Sequence, residues 1–274
     1  MSALQFLYHT VPGRLLLKPL TSRTLSRLAG RFLDSPLSKG LIRPFVKNAG
    51  IRLEDYESDG FRCFNDCFTR KIKDGLRPVD PDPEHLIAPC DGLLSVWPIQ
   101  NGLVVPIKQS LYSIERLLQD KALAREYEGG LCLVYRLCVD HYHRYSYVET
   151  GEKSGNRFLP GVLHTVRPVA LEAVPVFTEN CREYTVIRTE KFGPLVQMEV
   201  GAMLVGRIFN HEQESGSVER GVEKGMFLYG GSTIVVLVPP GRVEMDQKYL
   251  HASAAGQEVA VKLGEPVGHR IISF

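Results

Sequence analysis

The sequence has little that would specify a zinc, redox or membrane-spanning protein. Its six cysteines, Cys63, Cys67, Cys90, Cys132, Cys138 and Cys181, include no C-x-x-C pair, which excludes a zinc knuckle and a thioredoxin-type motif. Scattered in this way they read as reduced thiols in a cytosolic setting. No apolar run approaches the roughly 20 residues that span a bilayer, and the best candidate, Ile234 to Val238, is only strand-length. The start lacks the order of a secretory signal, because the apolar Phe6, Leu7 and Tyr8 precede Arg14 and Lys18 instead of following them. Internal repeats and low-complexity linkers are also missing, and nothing suggests a nucleic-acid module.

What remains is an ordinary globular chain. Its 274 residues, 44% hydrophobic and 23% charged, fit one large domain or two small ones and argue against collagen-like, coiled-coil or disordered classes. The net charge of +2 hides an asymmetry. Arg14, Lys18, Arg23, Arg27, Arg31, Lys39, Arg43 and Lys47 face the single acid Asp34 in the first fifty residues, so the rest is net acidic. Leu25, Leu28, Ala29 and Phe32 follow helical spacing while Arg23, Arg27 and Arg31 recur on another face, the pattern of a basic amphipathic helix. Such a helix either lies in an anionic membrane surface or docks on its own protein with a solvated arginine face. We take 1–55 as this segment and 56–274 as a second, β-rich unit.

Phe61, Phe64 and Phe68 predict a short helix with an aromatic face, ended by Gly75 and Pro78. Strands are expected at His85 to Ala88, Leu93 to Trp97, Leu103 to Ile107, Leu131 to Val139, Arg157 to Leu163, Glu183 to Thr189, Leu195 to Val205 and Ser232 to Val238, with one helix around Ile114 to Tyr127. The fold class is therefore α+β, mainly β: a barrel-like or sandwich β core with helices at its N-terminal side.

Three clusters offer chemistry. Gly230, Gly231, Ser232 and Thr233 lead directly into the last apolar run. A G-x-S-x-G elbow would need glycine at 234 and a helix after the serine, so a hydrolase elbow is a poor reading. Asp91 lies in a Pro-x-Asp-Gly turn, and Asp140, His141, Tyr142, His143 and Arg144 end an alternating strand on which both histidines would share a face. That pair has no third ligand at a metal-binding spacing, so no metal is expected. Read alone, the clusters are a Gly-Gly turn, a hairpin turn and structural histidines.

Taken in order, however, these clusters make residues 56–274 resemble the phosphatidylserine decarboxylase family. The carriers are CFTRKIKDGLRP, APCDG around Asp91, PIKQSLYSIERLL around Lys108, DHYHR around His143, FTENCRE, QMEVGAMLVG and KGMFLYGGSTIVVL around Ser232. HYHRYSYVETG is similar to a clostridial-type branch. The resemblance implies self-cleavage between Gly231 and Ser232 into a β chain of 1–231 and an α chain of 232–274, with Ser232 converted to a covalent pyruvoyl group, the only cofactor. It implies Ser232 as nucleophile, His143 as its base and Asp91 as the group that orients the base. Many members carry a second histidine where this chain has Ser146, so that either His143 serves both proton-transfer tasks or His141 or His164 substitutes in one of them. Lys108, Arg144 and Arg182 are the expected substrate contacts. The implied partner is phosphatidylserine in an anionic bilayer, at the cytoplasmic side of the cell membrane, with a homodimer allowed. The alternatives are a decarboxylase of a soluble amino acid and a non-enzymatic membrane-surface binding module.

Overall fold

The computed structural model describes residues 2–57, 60–104, 112–202, 207–229 and 232–272. At its centre the antiparallel strands Arg182–Thr189, Gly193–Val200, Ser232–Val238, Leu131–Leu137 and Gly92–Gln100 lie side by side in that order. Ser232–Val238 is buried along its whole length. Because successive side chains alternate between faces, Ile234, Val236 and Val238 enter one apolar core while Val235 and Leu237 enter another. A strand covered on both faces reads as a continuous apolar run rather than an alternating one.

The Val235 face is covered by helices. Tyr8 and Leu17, from Ala3–His9 and Val11–Leu20, join residues of Ile114–Leu118 and Val176–Glu179 in that core. The Ile234 face is covered by short strands and the helix Gln247–Ala254, which contribute Leu86, Tyr145, Phe227 and Tyr249. The α+β, mainly β class is thus correct, but the sheet does not close into a barrel. Its order ends at Gly216–Val218 and Tyr112–Ser113. Closure requires the edge strands to pair, and these edges are three and two residues long. All six cysteines are unpaired.

Other local expectations change as well. The helix expected at 114–127 is two, Ile114–Leu118 and Lys121–Arg125, separated where Gln119 takes a left-handed φ of 48° and Asp120 caps the second through Leu123 N. The Asp91 turn is not a hairpin: it carries the chain from His85–Ile87, in a small sheet, to Gly92–Gln100 in the large one.

The N-terminal segment forms the helices Ala3–His9, Val11–Leu20, Arg23–Leu33 and Ile42–Ala49, the first three capped by Ser2, Thr10 and Ser22. In Arg23–Leu33 the buried residues are Ser26, Gly30 and Leu33, whereas Leu28 and Phe32 are 56% and 47% exposed. The small side chains dock the helix and much of the apolar stripe faces outward. Among the described residues, eight of the fifteen exposed large hydrophobic side chains lie in the first 41 positions. No helix among them is long and apolar enough to cross a membrane.

A polar cluster is buried on the Ile234 face of the sheet. Lys224 Nζ lies 2.7 Å from Glu199 Oε2 and 2.9 Å from Asn210 Oδ1, with both charged side chains fully buried. Asn210 Nδ2 donates in turn to Glu183 and Glu199. Removing one partner of such a pair leaves an uncompensated buried charge, at a cost of about 3–5 kcal/mol. Glu199→Ala is expected to lose that much in urea unfolding, whereas the paired change Glu199→Leu with Lys224→Met costs far less.

Candidate active site

Ser232 is the first residue of the central strand, opposite Leu137, and is fully buried. Its Oγ has no hydrogen-bond partner among the described residues. A buried hydroxyl without a partner is uncommon in folded proteins, and here it belongs to the serine singled out by sequence. Gly231, on the other side of the expected cleavage point, and Lys108 lie outside the described residues.

His143 is also fully buried. Its Nδ1 is 2.9 Å from the carbonyl oxygen of His141. A carbonyl only accepts, so Nδ1 carries the proton and Nε2 keeps its lone pair. That Nε2 is buried and has no partner among the described residues. Burial, assisted by the charge of Arg70, pushes the imidazole down to about 3. His143 is therefore neutral at pH 7, in the tautomer of a proton acceptor.

Three contacts bring His143 and Ser232 to the same end of the sheet. Phe227 N donates to His143 O at 2.9 Å, five residues before Ser232. The Phe68 ring lies 4.1 Å from the His143 ring and 5.1 Å from that of Tyr229. His141 Nδ1 accepts from Cys138 N at 3.1 Å, one residue beyond the partner of Ser232. Neither histidine is on a strand: the ladder stops at Leu137 and the next begins at Arg144.

Asp91 is buried close by, yet among the described residues it makes no hydrogen bond to His143. Arg77 Nε and Nη2 grip its two oxygens at 2.7 and 2.5 Å, and Leu263 N donates at 3.0 Å. The planar guanidinium matches a carboxylate better than a single ring N–H does. The carbonyl of His141 thus fills the orienting position that sequence gave to Asp91. The negative charge of Asp91 is felt instead at His141, where, with Asp140, it opposes the downward push of burial. Cys138, Asp140 and His141 bring potential ligand atoms within 4.8 Å of one another, but Cys138 Sγ accepts from Arg136 and His141 Nδ1 is occupied.

The arginines expected to hold substrate are committed elsewhere. Arg182 is fully buried and donates to the carbonyls of Leu117, Thr178, Asn180 and Arg116. Arg144 bonds Thr69 O and Glu223. His164 lies near the N-terminal helices, 3.2 Å from Tyr8 OH. Ser146 is buried on Pro89 O.

Several contributors were invisible as site residues in the sequence. Arg70 Nη2 donates to the carbonyls of Asp140 and His141, holding the histidine loop. Asn65 accepts from Tyr229 N and donates to Asp34, tying the approach to Ser232 to the helix Arg23–Leu33. Phe68 and Arg70 stand in the CFTRKIKDGLRP motif, and the helical spacing of the phenylalanines was legible only as a core face.

Fold and site together define an α+β protein with a buried, unpartnered serine hydroxyl at the same end of the sheet as a buried, neutral histidine. The phosphatidylserine decarboxylase family profile matches residues 64–269. Over 266 residues the chain is 42% identical to phosphatidylserine decarboxylase proenzyme 2 of Clostridium acetobutylicum, covering 97% of this chain and 91% of that protein. It is 38% identical over 273 residues to the phosphatidylserine decarboxylase proenzyme of Ruminiclostridium cellulolyticum, with 98% and 91% covered. For that of Clostridium botulinum the identity is 37% over 255 residues, with 92% and 86% covered. The chain belongs to the phosphatidylserine decarboxylase family and is accordingly a carboxy-lyase.

The depressed histidine has a thermodynamic consequence. The unfolded chain binds a proton at this position below about pH 6.5, whereas folded His143 does so only near 3. Its contribution to stability is complete above 6.5 and is lost as the pH falls toward 3. His141 and His164, also pushed down mainly by burial, add the same sign. Stability measured by urea unfolding should fall between pH 6.5 and 4, with a shallower slope in His143→Asn.

Proposed function

We propose that the protein cleaves itself between Gly231 and Ser232 and then decarboxylates phosphatidylserine to phosphatidylethanolamine and CO2. The observation that carries this reading is the unpartnered Ser232 Oγ, buried at the head of the central strand in the motif KGMFLYGGSTIVVL, with an unpartnered imidazole nitrogen at the same sheet end.

In the first step Ser232 Oγ attacks the carbonyl carbon of Gly231 and His143 Nε2 takes the hydroxyl proton. The Gly231–Ser232 C–N bond breaks, the proton passes to the departing nitrogen, and an ester joins the two residues. His143 Nε2, free again, then takes the Ser232 α-proton as Gly231 leaves as a carboxylate. Water replaces the nitrogen of the resulting dehydroalanine, and that nitrogen departs with the proton as ammonium. The chains are 1–231 and 232–274. The buried, unpartnered Ser232 Oγ fits a pyruvoyl group made from that residue. When present, this group supplies a carbonyl that takes the substrate amine and accepts the electron pair left by CO2. His143, oriented by the His141 carbonyl, relays through Nε2 the proton that this electron pair later needs. Asp91 acts one step away, through its charge beside His141.

The N-terminal surface supports a lipid substrate over a soluble amino acid. Val11, Leu15, Leu16, Leu28, Phe32 and Leu37 are exposed on a segment rich in arginine and lysine, a combination suited to peripheral attachment on an anionic leaflet. We assign this attachment to 1–55 and the chemistry to 56–274.

On a denaturing gel with intact mass, the wild-type chain is expected as two bands split after Gly231, the smaller without a free amine. Ser232→Ala gives one band and no CO2. Ser232→Thr and Ser232→Cys retain a nucleophile and cleave slowly without forming pyruvoyl. Loss of a general base costs about 10² to 10⁴ in rate, so His143→Ala should turn cleavage over minutes into days; normal cleavage in that variant would move the base to His141 or His164. Deleting residues 1–33 would also remove the buried Tyr8 and Leu17, so attachment is better tested by changing Leu15, Leu16, Leu28 and Phe32 to Ser. Flotation with phosphatidylserine vesicles should fall several-fold while self-cleavage continues, and unchanged flotation would remove the apolar surface from the reading.

A further inference from the structure

Between the helix Arg23–Leu33 and the strand ends behind it lies a cavity of about 400 Å³, within the size range of small-ligand sites. Its lining is strongly basic. Arg23, Arg27 and Arg31 reach it from one helix face, and Arg207 from just before the strand Ile208–Asn210. Arg23 lies over the Phe158 ring at 5.3 Å. Among the described residues Arg27, Arg31 and Arg207 have no side-chain hydrogen bond or ion pair. The two acids in the lining are engaged elsewhere: Asp34 accepts from Asn65 at 2.7 Å, and Glu183 from Asn156 and Asn210 at 2.7 and 2.8 Å. Ser26 also lines the cavity. It is 5% exposed, and its Oγ has no partner among the described residues. Uncommitted guanidinium groups around one space, next to an unpartnered buried hydroxyl, call for an anion rich in acceptor oxygens. Guanidinium geometry matches a phosphate in particular.

The cavity adjoins the reaction centre. Leu228 in its wall is four residues before Ser232. Cys181, also in the wall, accepts from Gly201 N through its carbonyl. Its neighbour Arg182 pairs with Val200, which pairs with Thr233. The wall at Cys181 is thus two strands from Ser232, a separation of about 10 Å. In a serine phospholipid only a methylene and the α-carbon separate the phosphate ester oxygen from the reacting amine. A phosphate seated at the Leu228 end of the cavity therefore points that amine toward the head of the central strand. The same helix turns Leu28 and Phe32 outward, on the side where acyl chains would remain.

We propose that this cavity is the phosphodiester subsite of the substrate, with Arg27, Arg31 and Arg207 as its charge partners and Ser26 Oγ as a neutral donor. The assignment rests on the lipid reading above, and it replaces Arg144 and Arg182 as the expected phosphate contacts.

The test separates the two claims. Glycerophosphoserine is titrated calorimetrically into the full-length Ser232→Ala chain, which needs no activity, with serine and inorganic phosphate as comparison probes. Glycerophosphoserine should bind, inorganic phosphate should compete with it, and serine alone should not bind. Arg27→Gln, Arg31→Gln and Arg207→Gln should each weaken binding at least about tenfold, the scale of a charge-assisted hydrogen bond, with thermal melting checking that each variant is folded. In the self-cleaved enzyme acting on dispersed short-chain phosphatidylserine, the same changes should raise KM by a similar factor and leave kcat within about twofold. Absence of glycerophosphoserine binding, or affinity unchanged in all three variants, overturns the subsite. Arginine-dependent binding without CO2 release from the wild-type chain supports the subsite and overturns the decarboxylation reading instead.

Discussion

The site depends on one constraint: the strand that begins with Ser232 must be buried on both faces. Ile234 to Val238 contribute apolar side chains alternately to two cores, each fully buried side chain stabilising by roughly 1.5–3 kcal/mol. A strand anchored so firmly leaves its first residue little freedom. Ser232 Oγ is consequently held at the edge of a dry interior. Neighbouring strands supply everything else within one or two strand spacings: the turn after Leu137 brings the histidines, the bend before Gly92 brings Asp91, and Glu223–Phe227 holds the His143 carbonyl.

Dryness also decides the state of the histidine. Desolvation is the largest influence on His143 and the nearby Arg70 charge acts in the same direction, so the ring stays neutral. Its proton is directed to Nδ1 by a backbone carbonyl that Arg70 simultaneously holds in place. Orientation by a main-chain oxygen leaves Asp91 free to form a forked ion pair with Arg77. The arrangement differs from a linear serine–histidine–aspartate relay, in which the carboxylate touches the imidazole.

The N-terminal helices divide their labour by side-chain size and charge. Small residues, Ser26 and Gly30, allow close docking, so Leu28 and Phe32 on the same helix are not needed for the core and face out. Arg27 and Arg31 line the space left behind. One helix thereby presents apolar side chains outward and arginines to the cavity. Asn65 and the Phe64–Tyr229 contact link this helix region to the approach to Ser232.

By itself the sequence determined the class of fold, the motifs that single out Ser232 and His143, and the existence of a basic helix with an apolar stripe. Each is encoded locally, as an apolar run, a short motif or a 3.6-residue period. Tertiary structure alone decided which way the stripe faces, because periodicity marks a face but does not say what covers it. It also decided that Asp91 meets Arg77 rather than His143, that Arg182 has its donors occupied while Arg144 engages Thr69 and Glu223, and that Glu199 and Lys224 meet inside the protein. These partnerships join residues far apart in the chain, and which acceptor a long, multi-donor side chain finds depends on strand order and register, quantities that no single segment carries.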